Sequence, residues 1–330
     1  MKQHFLAAAL ALGLATAPTA LSAEEITLYS GRGEALVGAL IKQFETESGI
    51  KVNTRFGGSA ELAALLQEEG ARSPADVFWG QEGGSLSVLA PRFAPLPPAV
   101  NAAVAAPFRN DANSWVATSA RTRTLAYSKE RVKAADLPAS VKDLANPKYK
   151  GRVAWAPTNG SFQAFVTAFR ALEGDAAAKA WLVAMKDNGT KAYRNNGTQI
   201  EAIANGEVDF GLVNNYYLGR YTARDANYPV SQTHFAAGDL GNLALVAGVG
   251  IPASADNKAG AEKFIAFLIS KPAQTFITDK GNEYPVIPGV PPKAGLEPYE
   301  TLVKITPKVD ISALADLEGT LKLLREVGLI

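Results

Sequence analysis

Residues 26–80 read ITLYSGRGEALVGALIKQFETESGIKVNTRFGGSAELAALLQEEGARSPADVFWG. ITLYS is a short β-rich run, and EALVGALIKQFETESG then spaces Val37, Leu40, Ile41 and Phe44 as one helical face, with Gly49 as its stop. IKVNTRF alternates apolar and polar residues in strand fashion. Gly57-Gly58-Ser59 leads into ELAALLQEEG, a second amphipathic helix for which Ser59 is the expected cap. ADVFWG (75–80) closes the series as a third strand. Strand, helix, strand, helix, strand predicts the start of an open parallel α/β sheet. Such sheets bind ligands at the carboxyl ends of their strands, here the loops SGRGE, GGSAE and GQEGGS, each of which also suits a plain turn.

Further along, the prolines from Pro91 to Pro98 punctuate the edge of this first unit. A strand over 114–128 is long enough to pass into a second one. GRVAWAP, TNGSFQAFVTAFRALEG, KAWLVAMKDNG, KAYRNN, TQIEAIANGE and VDFGLV repeat the α/β logic, and an apolar strand over 242–252 and helices over 261–281 lead back. The expectation is an α/β protein of two lobes, each an open mixed sheet flanked by helices, joined by a hinge around a cleft. The expected boundaries are 24–120 for the first part of lobe 1, 121–247 for lobe 2, and 248–330 for a return to lobe 1 with a helical tail.

Residues 1–23, MKQHFLAAALALGLATAPTALSA, combine Lys2, an apolar run from Phe5 to Ala15 and small residues at Ser22 and Ala23, the layout of a cleaved signal peptide. The run falls short of the roughly 20 residues that span a bilayer. A periplasmic, monomeric protein without a membrane anchor is expected. The chain has no cysteine, so neither a lipid-modified cysteine nor a disulfide framework is available. Basic and acidic residues balance at 33 to 32, which gives no reason to expect nucleic acid as a partner. Beyond the signal only His234 remains of two histidines, which excludes zinc or copper sites built on several His or Cys ligands. Any metal held here must accept oxygen.

VNNYYLGRY (213–221) follows the strand VDFGLV. Asn214 and Asn215 are expected to cap a helix beginning at Tyr216, on whose first turn Tyr216 and Tyr217 diverge by about 100° and can both aim into the cleft. The alternative is that one ring packs in the core while the other covers the surface.

ITLYSGRGE, SPADVFW, PTNGSFQAFV, NNYY and NEYPVIPGV, in that order, resemble the ferric-iron-binding proteins that serve periplasmic ABC importers. The resemblance implies the type II-like periplasmic-binding-protein fold, Fe(III) held with a synergistic anion (carbonate, phosphate or citrate), and an inner-membrane ABC permease as partner. It implies phenolate ligands at Tyr216 and Tyr217. The family's frequent first-loop histidine falls at Gly33 and is missing; its carboxylate falls at Gln81, with Glu82 one position on, so either is the candidate. A third tyrosine, where the family has one, falls in Thr158, Asn159, Gly160 and Ser161 and is absent. Anion-binding positions match Asn159, Gly160, Ser161, Asn196 and Asn214, and Arg32, Arg121 and Arg123 are candidates for a further anion contact.

Two other readings compete with iron. One is a binding protein for an organic or oxyanion ligand, such as a polyamine or phosphorylated compound, in the same cleft. The other is a secreted hydrolase with His234 as base, set beside an expected surface turn.

Overall fold

The computed structural model describes residues 24–294, 296–309 and 314–330. The expected signal, 1–23, lies outside them. In chain order the elements are β1 (Glu25–Ser30), α1 (Glu34–Ser48), β2 (Lys51–Phe56), α2 (Ser59–Glu69), β3 (Val77–Gly80), α3 (Gly83–Leu89), α4 (Pro98–Ala103) and β4 (Trp115–Ser128). There follow β5 (Val153–Trp155), α5 (Gly160–Glu173), α6 (Asp175–Asp187), β6 (Lys191–Ala192), α7 (Asn196–Ala204), β7 (Phe210–Asn214) and α8 (Leu218–Thr222). The last are β8 (Val230–Thr233), β9 (Ala244–Gly250), α9 (Lys258–Leu268), α10 (Lys271–Gly281), α11 (Tyr299–Ile305) and α12 (Leu317–Val327).

The strands run in the order β2-β1-β3-β9-β4-β7-β5-β6, with β8 on β4. β1 pairs in parallel with β2 and β3, and β5 with β6 and β7. The expected mixed, helix-flanked α/β architecture of two lobes is therefore observed. β4 joins the halves: residues from Trp115 to Thr122 pair with β9, and from Arg123 onward β4 pairs with β7 and β8 instead. The change of partner at Thr122 and Arg123 marks where one sheet hands over to the other.

The three loops after β1, β2 and β3 meet through Ser59. It does not cap α2, as expected; Gly58 holds that position, and the Ser59 hydroxyl accepts the Gln81 amide hydrogen at 2.9 Å. A Cβ on Gly31 would run into the same hydroxyl, so only glycine lets the first and second loops approach this closely.

Helices α9 and α10 pack beside β1 and β4, with Phe264 edge-on to Phe44 at 5.0 Å and Gln274 donating to the Thr118 carbonyl at 2.7 Å. The tail beyond them behaves differently from the expected return to lobe 1. Helix α12 lies on α5 and α6, where Thr167 and Thr320 share a buried hydrogen bond of 2.7 Å and Lys186 caps the Val327 carbonyl at 2.7 Å. Its apolar face (Leu323, Leu324, Val327) is buried.

Candidate metal centre

Strand β7 ends at Asn214, but the helix after it starts at Leu218, two residues later than the sequence suggests. Neither asparagine caps it. Asn214 Oδ1 accepts from Arg123 at 3.0 Å, and Asn215 Oδ1 accepts the Thr122 amide at 3.0 Å, so both side chains are committed to β4. Tyr216 and Tyr217 consequently sit in a turn, with ring centroids 4.6 Å apart and planes at 31°. Tyr217 also packs against the small core of Val213, Leu218 and Val230, so it carries part of the packing role without losing its place at the cavity. The Arg220 guanidinium lies over both rings, 5.3 Å from that of Tyr216 and 4.6 Å from that of Tyr217.

A cavity of about 600 Å³ receives both tyrosines. Gln81, Glu82, Asn159, Gly160, Ser161, Asn196 and Asn214 line it too, together with Arg121. Residues expected from the sequence are thus brought together from three strand-end loops and two helix starts. Asn159 caps α5, its Oδ1 accepting the Ser161 amide at 3.1 Å and its carbonyl accepting the Phe162 and Gln163 amides at 3.0 Å; the positive end of the helix dipole there suits an anion.

Of the three expected arginine contacts, Arg32 and Arg123 are not among the cavity-lining residues. The Arg32 guanidinium holds Glu283 through both oxygens, at 3.1 and 3.0 Å, and donates to Gln81 Oε1 at 2.8 Å. Arg121 shares Glu283 at 3.3 Å and donates to the Gln81 carbonyl at 2.7 Å. The two arginines hold the buried Glu283 carboxyl down at about 2, against the upward push of burial. Sequence reasoning missed Glu283, although it sits inside NEYPVIPGV. A lone acid in an apolar run is the signal that could have found it, because a buried charge needs partners.

Gln81 and Glu82 are separated by the same geometry. The Gln81 amide oxygen is occupied by Arg32, whereas Glu82 is exposed at the cavity edge and its Oε1 accepts only the Ser85 hydroxyl, at 2.9 Å.

Arg123 is buried beneath the tyrosines, 2% exposed. One of its nitrogens donates to Ser161, Asn196 and Asn214 at 3.2, 3.3 and 3.0 Å, tying together three of the expected anion contacts. Burial pulls its guanidinium down to about 9, opposed by the two tyrosines, so it is a cation at neutral pH. Tyr216 is pushed up to about 12, first by burial, then by its hydrogen bond to Tyr217 and that residue's charge, with Arg121 and Asn214 pulling the other way. The Tyr216 hydroxyl needs a bound cation to become anionic at neutral pH. Among the described residues no group of three or more His, Cys, Asp or Glu could hold a metal ion.

Two lobes and a cavity between them lined by tyrosine, amide and charged side chains define a ligand-capturing binding protein. The chain belongs to the bacterial extracellular solute-binding protein family, whose pattern matches residues 39–305. The expected resemblance is borne out. The chain is 35% identical to the major ferric iron-binding protein of Neisseria meningitidis over 100% of both chains. Iron-bound HitA from Pseudomonas aeruginosa superposes with a TM-score of 0.76 at 36% identity, covering 92% of this chain and 99% of that one. A Trichodesmium protein in complex with iron and citrate superposes with a TM-score of 0.82 at 30% identity, covering 93% and 100%. No described helix is long and apolar enough to cross a membrane.

Proposed function

We propose that this protein captures Fe(III) in the periplasm and hands it to an inner-membrane ABC permease. Tyr216 and Tyr217 supply two phenolates, Glu82 a carboxylate from the facing loop, and a synergistic anion completes the site. The observation that carries the reading is the adjacent placement of the two tyrosines at one cavity wall, with Glu82 lining the same cavity. Three anionic oxygens neutralise the metal, and the added anion is matched by Arg121, Arg123 and the start of α5. Carbonate, phosphate and citrate all fit this chemistry; a cavity of about 600 Å³ has room for citrate. Removal of 1–23 releases a monomer whose lobes comprise 24–120 with the stretch that follows 248, and 121–247, with α12 crossing to the second.

The protein acts by binding and not by catalysis. His234 is 8% exposed in its side chain and contacts Thr122, a hydroxyl with no exposure, so a hydrolase built on it has no reachable nucleophile. An organic or oxyanion ligand is the remaining competitor, and colour separates the two. Titration of the purified protein with ferric citrate is expected to produce a visible tyrosinate-to-iron band; a protein that stays colourless while binding a phosphorylated compound or polyamine would overturn the iron reading.

A further inference from the structure

Thr122, His234, Tyr284 and Glu297 do not line the cavity, yet they form one connected chain behind the tyrosine turn. Thr122 is the last β4 residue paired with β9. Its backbone clasps Asn215 twice, donating to the Asn215 side chain at 3.0 Å and accepting the Asn215 amide at 3.0 Å, and Asn215 leads directly into Tyr216. The Thr122 hydroxyl lies 3.0 Å from His234 Nε2, and His234 Nδ1 lies 2.9 Å from Glu297 Oε1. The other Glu297 oxygen takes the Tyr284 hydroxyl, and the Tyr284 backbone exchanges two hydrogen bonds with Ala120. The circuit leaves β4 at Ala120 and returns to it at Thr122.

We propose that His234 is a positioning residue: by joining Glu297 to Thr122 it fixes the turn that aims Tyr216 and Tyr217, so that movement of the 284–305 segment reaches the tyrosines. Its consequence for iron rests on the reading of those tyrosines as ligands. The chemistry favours a positioning role over plain packing. Glu297 accepts at Nδ1, which in the neutral imidazole leaves Nε2 to accept from the Thr122 hydroxyl, so both ring nitrogens are used. A phenyl ring of similar size would fill the space but leave the Thr122 hydroxyl without its ring partner and Glu297 with Tyr284 alone. Thr122 is fully buried, so water cannot replace its lost partner cheaply, whereas Glu297, 29% exposed in its side chain, can turn to water.

The test uses H234F, T122V and T122S, with two readouts. In iron-free protein, hydrogen exchange at the Asn215 and Tyr217 amides is expected to rise about tenfold in H234F and T122V relative to amides of β1, with T122S within about twofold of wild type. In ferric-loaded protein the first two are expected to shift the visible band and release iron to a competing chelator about tenfold faster. Unchanged exchange in T122V and H234F, or T122V matching T122S in both readouts, would overturn the proposal. Should H234F fail to fold, T122V decides, because it keeps the side chain's shape and the backbone clasp. A wild-type protein that takes up no iron would defeat the iron reading, and the exchange arm would still decide the brace.

Discussion

Tyr216 and Tyr217 stand with ring centroids 4.6 Å apart at the end of a strand whose last residue is bonded to the buried Arg123. Both tyrosines line the same cavity. Phenylalanine at either position keeps the ring and removes only the hydroxyl oxygen. Each single Tyr→Phe change is expected to weaken ferric binding and shift the visible band, and Y216F/Y217F together to abolish it. Melting of the iron-free double variant should stay within a few degrees of wild type, since the Tyr217 ring remains packed. A double variant that retains the band would refute phenolate ligation.

Proton release is a second measure of the same oxygens. Tyr216, raised to about 12 by burial and its neighbour, carries its proton at neutral pH until a cation displaces it. Loading from a ferric chelate at pH 7 is expected to free protons beyond those the chelate itself releases, the Tyr216 proton among them. Calorimetry in buffers of different ionisation enthalpy counts them, and Y216F should lower the count by about one.

Glu82 and Gln81 make opposite predictions. Because the Gln81 amide is held by Arg32 while Glu82 lines the cavity edge, E82Q is expected to weaken iron binding and to increase its dependence on added carbonate or citrate. Q81A should have the smaller effect on affinity. Competition titrations against a ferric chelator, with and without the anion, decide the matter; the reverse order of effects would assign the ligand to the loop's first position.

Glu283 ties stability to acid. Its folded value of about 2 lies below the unfolded one near 4.5, so between these pH values the unfolded chain binds more protons than the folded one. Stability is therefore full above about pH 4.5 and falls as the pH drops toward 2, by about 3 kcal/mol in all. E283Q should lose most of this acid sensitivity and be less stable at pH 7 by about 3 to 5 kcal/mol, because Arg32 and Arg121 lose their buried partner. Denaturant unfolding from pH 2.5 to 7 tests both statements; equal slopes in the two proteins would show that the acid response lies elsewhere.

Much of the fold was legible because it rests on local periodicity. The 3.6-residue spacing of Val37, Leu40 and Phe44 and the alternation of 50–56 each specify an element through which face it must bury, whatever lies across from it. The tyrosine pair and the small polar loops were legible for a related reason: strand ends in an α/β sheet have a known place beside the cleft. Partnership across the fold was not. Arg32 and Glu283 are 251 residues apart in sequence, and nothing local says that they neutralise each other and so withdraw Arg32 from the cavity. The asparagines at 214 and 215 look like helix caps in sequence, but β4 supplies better partners, and the helix starts later as a result. His234 reads as a surface residue until Thr122 and Glu297 close around it. Which residues alternate or repeat is written along the chain; which buried charge or amide finds which partner depends on the three-dimensional approach of distant segments, and only the tertiary structure decides it.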